Sequence, residues 1–552
     1  MSTNDKYIIS NIYWDRMWIF FEIKPVTSER FFPYIINSDC SYKAYLLKHS
    51  EGLYKLNITN PGNCRMLPLG TYHISYDNAG PLGTSASSST AYSFIRYCSP
   101  EDKDITEDNK RFIYFHSERE YRVDFYDNDV FSFTSSDGQR TDIKKRIKIK
   151  TRLERRRHRI AKAVLRTVYN FDYFKYRKLS KHKEKNILLF SDQSEEMGSN
   201  MAALKDGLIR AGYKPEESLR AVTTKHYSFA HWMKTLKKLA KADYIFLDDH
   251  SQTTDWLTIK GATITQIWHA GAGFKSTGYS RFGMNASPAP VSGHRQYDYG
   301  ITGSRNIRHF FSEVWGINDS MVLPAGMPRL DKYLDKAYQA KTKEKLLKDY
   351  PILSKRVILF APTYRGANKK HAYYPYKKLD FDEMYRVAEE TDSVFVFKMH
   401  PFVSKPVPIP EEYRDRMFDI SGYPNINDLF YVTDLLITDY SSNIYEFSLM
   451  RKPILFFAFD IAGYSNSRGF HRDYRTNVPG KITETFEEMC AAIRAEDFEY
   501  EKVEEYIENN FEKIDSHACD RVIDWIIRGK IPEEYKNEIK NEFKRVSCKN
   551  CS

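Results

Sequence analysis

Residues 428–460, DLFYVTDLLITDYSSNIYEFSLMRKPILFFAFD, decide how the rest of the chain is interpreted. Positions 435–437 are an apolar run that is too short for a helix and is typical of a buried parallel strand. A polar turn follows at 439–443, and the helical pattern of 444–450 leads to a second apolar strand at 453–459. The stretch therefore predicts a βαβ unit.

The start of the predicted helix carries small polar side chains. Asn443 and Glu446 have the spacing of a capping box. Free N–H groups and the positive end of the helix dipole favour an anion such as a phosphate at this position. Ser441 and Ser442 are the predicted phosphate ligands, whereas Asp439 is expected to hold the turn or orient a His, because two anions repel. A well-capped helix without a ligand is the alternative interpretation.

Three further motifs follow apolar strands elsewhere in the chain: Gln266-Ile-Trp-His269, Ala361-Pro-Thr-Tyr-Arg365 and Lys398-Met-His400-Pro401. Together with the stretch at 428–460, and in this order, they resemble the CDP-glycerol glycerophosphotransferase family, which includes the teichoic acid polymerases and primases. The resemblance implies a GT-B arrangement of two doubly wound domains. It also implies transfer of a polyol phosphate from a CDP-polyol to an acceptor hydroxyl, with release of CMP.

His269 ends a predicted strand and precedes a turn that contains Gly271, Gly273 and Lys275. Doubly wound folds bind ligands at this end of their strands, and a neutral imidazole can take the proton of a hydroxyl group. The glycines allow the backbone to approach an acceptor closely. A structural His bonded to a loop carbonyl is the alternative. The family motif is commonly W-H-G-T-P-L-K, whereas here Ala270 follows His269 and one more residue precedes Lys275. This variant is similar to that of ribitol-phosphate enzymes, and it leaves the polyol and the placement of Lys275 open.

The donor side is predicted from the motifs of the second half. The resemblance implies that His400 is needed for activity and lies by the donor pyrophosphate. Arg365 carries a planar guanidinium that suits phosphate oxygens, and Thr363 stands two residues before it. Ordinary polar loop residues are the alternative for Arg365 and His400. Arg468 belongs to a further short motif of the family and is a weaker phosphate candidate.

The 552 residues contain enough apolar and aromatic side chains for several cores, which predicts three or four domains. Residues 1–142 consist of short, aromatic, partly alternating segments, which predict a β-sandwich accessory domain. Beyond residue 186 strands alternate with helices, so two doubly wound blocks are predicted at 186–342 and 343–552, the acceptor and donor sides. The predicted fold class is an α/β, GT-B-like pair of Rossmann domains preceded by a small all-β domain, with one site in the cleft.

Residues 143–185 are a basic segment between these regions. From Lys144 to Lys185 the sequence has 18 Lys and Arg against three acids, so this segment carries more positive charge than the whole chain, whose net charge is +11. Apolar residues at helical spacing and a cluster of aromatic residues accompany the cations. This composition favours an amphipathic helix on an anionic membrane surface. A solvated linker helix and a nucleic-acid patch are the alternatives.

No apolar run is long enough to span a bilayer, and no secretory signal pattern opens the sequence. We therefore expect a cytoplasmic protein on the inner face of the membrane. The expected partners are CDP-glycerol or CDP-ribitol, a lipid-linked teichoic acid or capsule acceptor and an anionic membrane, without nucleic acid; a homo-oligomer is left open. No metal or other cofactor is expected, since the Asp248-Asp249 pair is better explained as a loop cap. Cys548 and Cys551 are interpreted as part of a frayed tail.

Two other functions share these features. A GT-B glycosyltransferase that uses a nucleotide sugar would have the same cleft and phosphate-binding helix. A non-catalytic membrane-surface binding protein would use the β-domain and the basic helix alone. Release of CMP from a CDP-polyol separates the predicted transferase from both.

Overall fold

The computed structural model describes residues 3–25, 31–82, 94–97, 111–116, 119–127, 130–139, 149–178, 185–220, 228–271, 273, 275–282, 288–366 and 369–548. In chain order, a region of β-strands is followed by a long basic helix and then by two α/β blocks. The sequence predicted an all-β region, a basic helix and two α/β blocks. These parts occur in the same order in the structure.

The described part of the first region consists of antiparallel strands with one parallel pair. They are β1 (Thr3–Asp15), β2 (Trp18–Pro25), β3 (Phe32–Asn37), β4 (Tyr42–Tyr45), β5 (Leu47–Ser50), β6 (Leu53–Asn57), β7 (Gly70–Asp77), β8 (Phe94–Tyr97), β9 (Arg111–His116), β10 (Arg119–Asp127) and β11 (Phe131–Gln139). Strand β7 pairs with β3 along one edge, and with β11 and β8 along the other. With the C-terminal strand described below, these strands form one sheet of twelve strands among the described residues. Phe21 on β2 and Phe131 on β11 contact each other in its apolar core, with ring centroids 6.3 Å apart.

The basic segment forms helix α1 (Ile149–Lys178). One face packs on the first α/β block through Leu165 and Tyr169, which are buried. The Tyr169 hydroxyl accepts a hydrogen bond from the backbone N–H of Lys260 at 2.8 Å, and the Arg166 guanidinium donates to the Trp256 carbonyl at 2.7 Å. The helix is therefore fixed to the block along one side.

The first α/β block has a parallel sheet whose strands are apolar on both faces because helices cover both sides. Its strands are β12 (Ile187–Ser191), β13 (Glu216–Leu219), β14 (Tyr244–Leu247), β15 (Thr263–Gln266), β16 (Tyr299–Ile301) and β17 (Val322–Leu323), in the order β13-β12-β14-β15-β16-β17. Its helices are α2 (Ser199–Arg210), α3 (Phe229–Lys241), α4 (Arg308–Trp315), α5 (Leu330–Leu334) and α6 (Lys336–Asp349). The alternation of strands and helices predicted beyond residue 186 is present here, and the short strands β13 and β17 lie at the two edges of the sheet.

The second α/β block repeats this architecture. Its strands are β18 (Arg356–Phe360), β19 (Ser393–Phe397), β20 (Met417–Asp419), β21 (Leu435–Thr438), β22 (Ile454–Phe457) and β23 (Lys481–Thr483), in the order β20-β19-β18-β21-β22-β23. Its helices are α7 (Phe381–Glu390), α8 (Ile426–Leu429), α9 (Ile444–Ser448), α10 (Ile461–Arg468), α11 (Tyr474–Asn477), α12 (Phe486–Ala495) and α13 (Glu501–Asn510). The predicted βαβ unit is therefore β21-α9-β22.

The C-terminal segment returns to the earlier parts of the chain. Helix α14 (Ala518–Val522) continues as one π-helical turn to Ile527 and packs against the sheet of the first α/β block. Helix α15 (Glu533–Phe543) leads to strand β24 (Val546–Cys548), which pairs antiparallel with β4. The expectation of a frayed tail at Cys548 is wrong, because this pairing satisfies its backbone; Cys551 lies outside the described residues.

One buried carboxylate contacts both α/β blocks and the region of strands β1–β11, called the β-region below. Glu313 on α4 accepts a hydrogen bond from the indole N–H of Trp18 at 2.9 Å, and its other oxygen lies 2.5 Å from Nε2 of His471 in the second block. The guanidinium of Arg16 lies 3.7 Å away. Burial alone would raise the pKa of Glu313, but the hydrogen bond and charge of His471, with Arg16, lower it to about 2. Glu313 is therefore ionised and holds the three parts together.

Candidate active site

The predicted donor residues lie at the point where the strand order of the second sheet reverses. Strand β18 lies between β19 and β21. The chain therefore adds β19 and β20 on one side of β18, then crosses over and adds β21, β22 and β23 on the other side. Doubly wound sheets bind ligands in the crevice at this switch point, at the carboxyl ends of the strands. Thr363 and Arg365 follow β18, and Asp439, Ser441 and Ser442 follow β21. The fold thus brings these residues together, although 76 positions separate Thr363 from Asp439.

Asp439 organises the turn after β21. Its Oδ1 accepts hydrogen bonds from the backbone N–H groups of Thr363 at 2.7 Å and Tyr440 at 2.6 Å. The hydroxyl of Tyr474 donates to the Asp439 carbonyl at 3.0 Å. The side chain is only 1% exposed. These hydrogen bonds join the loop after β18 to the loop after β21. Asp439 therefore makes contacts that hold the turn, as expected from the sequence.

Arg365 is held by two carboxylates. Its Nε and Nη2 donate to Asp460 at 2.6 and 2.8 Å, and Nη1 lies 3.0 Å from Asp439 Oδ2 and donates to the Thr363 carbonyl at 2.6 Å. Burial alone would lower the pKa of Arg365, but Asp439 and Asp460 raise it, so the guanidinium is charged. In the structure, the guanidinium makes a bidentate hydrogen bond with Asp460 and fixes the turn. A direct contact between Arg365 and phosphate stays a prediction.

Helix α9 begins near the two serines but lacks the predicted capping box. Asn443 is at its N-cap position and makes no side-chain cap hydrogen bond, and the helix has five residues rather than the seven expected. Ser441 Oγ accepts from the backbone N–H of Asn443 at 3.3 Å, and Ser442 is half-buried. The capping-box prediction is wrong because the Glu446 carboxylate is drawn across the domain boundary to Arg329.

The Arg329–Glu446 ion pair was missed by sequence analysis. Arg329 donates through Nε to Glu446 Oε1 at 2.8 Å, and through Nη1 to the backbone carbonyl of His269 at 2.6 Å. Both charged side chains are buried. The pair therefore connects the donor helix α9 to the turn that carries His269. The Gly326-Met-Pro-Arg329 turn gave no chemical signal in the sequence, because its partner lies 117 residues away.

His269 presents one ring nitrogen as a potential base. Its Nδ1 lies 3.1 Å from the backbone carbonyl of Asp248, and a carbonyl can only accept, so Nδ1 carries the proton. Neutral His269 therefore has its lone pair on Nε2. The preceding Trp268 has a positive φ of 49°, rare for a bulky residue, and its carbonyl accepts from Asn200 at 2.8 Å. This strained turn points the chain, and the exposed His269 with it, out of the sheet.

His400 has the opposite tautomer. The backbone N–H of Phe402 donates to its Nδ1 at 3.1 Å, so the proton of the neutral ring is on Nε2. Burial, followed by the charges of Lys275 and Lys398, lowers the pKa of His400 to about 4. The imidazole is therefore neutral at pH 7 and offers an N–H donor.

The turn after His269 reaches the second block. Lys275 forms an isolated β-bridge with Phe470 and acts electrostatically on His400. A Cβ atom at Gly271 would lie 2.3 Å from the ring of Tyr445 on α9, so only glycine fits there; Gly273 has a φ of +64°. The sequence-predicted acceptor turn and the donor motifs thus meet in one cleft. The side chain of Arg468 lies outside the described residues.

Asp248 and Asp249 stand at the end of β14. Asp248 accepts a hydrogen bond from the backbone N–H of Gly198 at 3.2 Å, as a loop cap does. Within the described ranges, His, Cys, Asp and Glu side chains do not gather in groups of three or more that could hold a metal ion.

A family model described as CDP-glycerol:poly(glycerophosphate) glycerophosphotransferase matches residues 172–528. The chain belongs to this family. The match begins within α1 and includes every motif of the cleft, so the resemblance seen in the sequence is confirmed.

Curated relatives point to the same family. The chain is 36% identical over 370 residues to a teichoic acid poly(ribitol-phosphate) polymerase of Bacillus spizizenii. This match covers 65% of the present chain and 59% of that protein. It is 35% identical over 353 residues to the Staphylococcus aureus teichoic acid ribitol-phosphate polymerase TarK, covering 63% of this chain and 69% of that protein. The match thus spans about three fifths to two thirds of these relatives.

Among solved structures, the wall teichoic acid polymerase TagF is similar with a TM-score of 0.51 at 20% sequence identity. The similarity covers 71% of this chain and all of the TagF chain. At this identity it shows a common fold. The α/β architecture is therefore shared with TagF.

Proposed function

We propose that the protein transfers ribitol phosphate from CDP-ribitol to a hydroxyl group of a lipid-linked teichoic acid or capsule acceptor, releasing CMP. The observation that carries this proposal is the pairing of two histidines in a GT-B-like cleft, one with its proton on Nδ1 and the other with a free Nδ1 that accepts a hydrogen bond. Ribitol is preferred over glycerol because relatives at 34–36% identity are named for ribitol phosphate, whereas the glycerol-phosphate primases and polymerase match at 28–30%.

His269 acts as the general base. Its Nε2 takes the proton of the acceptor hydroxyl as that oxygen attacks the ribitol-bearing phosphorus of the donor. The new P–O bond forms while the bond between this phosphorus and the CMP oxygen breaks, and CMP leaves with the bonding electrons. The Arg329–Glu446 pair supports the step because it fixes the backbone carbonyl of His269.

His400 stabilises the donor. Its Nε2–H donates to a pyrophosphate oxygen. The low pKa keeps the ring neutral, so Nδ1 continues to accept from the backbone N–H of Phe402 and holds the ring in this orientation over the physiological pH range. Lys275 and Lys398 supply positive charge where negative charge develops on the leaving CMP. Ser441 and Ser442 contact the pyrophosphate at the switch point, on a turn held by Asp439. With these groups in place we propose that no metal or other cofactor is required.

Helix α1 brings the enzyme to its acceptor at the membrane. Ile160, Val164, Phe171 and Phe174 are between 47% and 67% exposed. At about 100° per residue they fall within about 80° of one another, on the side of α1 opposite to the buried Leu165 and Tyr169. An outward apolar stripe flanked by arginines suits insertion into the headgroup region of an anionic leaflet. Among the described residues, no helix is long and apolar enough to cross a membrane.

The test is CMP release from CDP-ribitol, CDP-glycerol and a nucleotide sugar, each with a lipid-linked acceptor. We expect CMP from CDP-ribitol at the highest rate. His269→Ala and His400→Ala should each lower the rate by about 10²–10⁴. His517→Ala is the matched control, since its side chain is 68% exposed. Release of a nucleoside diphosphate from the sugar donor instead would favour the glycosyltransferase alternative, and turnover of none of the donors would favour a binding protein.

A further inference from the structure

The side chain of Tyr445 extends from helix α9 of the second α/β block into the first block. A Cβ atom at Gly271, in the turn after His269, would overlap with Cδ1, Cε1 and Cγ of the Tyr445 ring. A Cβ atom at Gly303, just beyond strand β16, would overlap with the Tyr445 hydroxyl oxygen and come close to the carbonyl oxygen of Asn510. Non-bonded atoms pack favourably only at about 3.5–4.0 Å. The two glycines therefore form a slot for the Tyr445 ring.

The chain that returns from the second block to the first closes this slot. Phe511 packs on the Tyr445 ring with a centroid distance of 4.3 Å, and the backbone N–H of Glu512 donates to the Gly303 carbonyl at 2.9 Å. The Tyr445 side chain is fully buried, and its hydroxyl finds no hydrogen-bond partner within the described part of the chain. The contact between the ring and the first block is therefore one of shape, not of hydrogen bonding.

Tyr445 connects the two turns that carry the proposed chemistry. Its backbone N–H donates to the Ser442 carbonyl at 3.1 Å, so the ring is attached to the turn proposed to contact the pyrophosphate. The slot that receives the ring belongs to the turn of His269. The next residue, Glu446, reaches the same turn through Arg329, which donates to the His269 carbonyl. The ion pair joins the two turns by charge, whereas the ring keeps them apart by its volume.

We propose that Tyr445 is a positioning residue for the transfer step, because its ring sets the distance between the turn of His269 and the donor turn. Reacting atoms must lie about 3–3.5 Å apart, and a displacement of about 1 Å can lower a rate about 10²-fold. A rigid ring in a closely packed slot maintains such a distance, since packed interiors resist deformation. The inference rests on the proposed function, because it concerns a reaction across the same cleft.

A double-variant experiment tests the contact from both sides. Tyr445→Ala should lower kcat for transfer from CDP-ribitol to a lipid-linked acceptor about 10–100-fold. Gly271→Ala should lower kcat by a similar factor, because its methyl group collides with the ring. The variant with both changes should be no slower than Tyr445→Ala, since removal of the ring makes room for the methyl group. Independent effects would instead multiply to about 10²–10⁴-fold.

Further variants separate positioning from folding. Tyr445→Phe keeps the ring and should retain kcat within about twofold, because the hydroxyl makes no hydrogen bond. Tyr445→Leu keeps apolar volume but is too short to reach Gly303, so it should lower kcat even if Tyr445→Ala does not fold. The affinity for CDP-ribitol, measured by titration, should stay within about threefold of the wild type in each variant, because the donor turn keeps its own hydrogen bonds. Tyr500→Ala is the control on the same block, since Tyr500 is 45% exposed, and its kcat should be unchanged.

Hydrogen exchange follows the same contact without turnover. The backbone N–H of Glu512 should exchange faster than in the wild type in Tyr445→Ala, and at the wild-type rate in Tyr445→Phe. A wild-type kcat in Tyr445→Ala or Tyr445→Leu, or multiplied losses in the variant that also carries Gly271→Ala, would overturn the proposal. If the wild type releases no CMP, the proposed transfer reaction fails. Faster exchange in Tyr445→Ala would then retain the ring as the spacer between the two turns, and unchanged exchange would reject that role as well.

Discussion

Replacing Glu313 with Gln should loosen the junction between the β-region and the two α/β blocks. The substitution keeps the shape of the side chain but removes the charge that faces His471 and Arg16. A carboxyl group whose pKa falls from 4.5 to about 2 on folding contributes about 3 kcal/mol of stability at neutral pH. This is a large part of the roughly 5–15 kcal/mol that folded proteins have.

The stability difference between the wild type and Glu313→Gln should depend on pH. Because the folded pKa lies below the unfolded one, the stabilisation is complete above pH 4.5 and is lost as the pH falls towards about 2. Urea unfolding followed by tryptophan fluorescence should show the wild type about 3 kcal/mol more stable than Glu313→Gln at pH 7. By pH 3 more than half of this difference should be gone.

A surface substitution serves as the control. Glu411 is 80% exposed and pairs with Arg414, so Glu411→Gln should change stability by less than about 1 kcal/mol at either pH. If Glu313→Gln unfolds like the wild type at pH 7, or if the difference does not shrink on acidification, the junction is not held by an ionised Glu313.

Four further outcomes are expected. Arg365→Lys should raise the KM for the donor about tenfold, because one ammonium cannot keep both the fork to Asp460 and the contact to Asp439; an unchanged KM in a donor titration would contradict this. Glu446→Gln should lower kcat more than it changes the donor KM, since His269 loses its anchor, and a full kcat would argue against the coupling. Lys275→Met should raise the pKa of His400 above about 4 in an NMR titration, whereas an unmoved pKa would leave burial and the charge of Lys398 as the causes. Phe171→Ser with Phe174→Ser should reduce sedimentation with anionic vesicles, and binding equal to the wild type would place the membrane contact elsewhere.

Local sequence patterns were sufficient for the central elements. Strands such as β12, β18 and β21 are continuous apolar runs between polar turns, because a parallel sheet covered on both faces buries every side chain. The motif histidines were singled out through the resemblance to the family, and each directly follows such a run. The short edge strands β13, β17, β20 and β23 were not predicted, because two to four residues carry too little periodicity.

Which side chains face one another was decided by the tertiary structure. Glu446 has the spacing of a capping residue, yet it pairs with Arg329. Leaving the buried Arg329 without this carboxylate would cost about 3–5 kcal/mol, more than a cap worth about 1 kcal/mol. Arg365 looked free to bind phosphate, but the crossing at β18 places Asp439 and Asp460 beside it. The tautomers of His269 and His400 depend on a carbonyl and an N–H that only the folded loops bring within reach. Sequence therefore determined the elements and the reactive residue types, whereas the long-range contacts determined their charges, protons and partners.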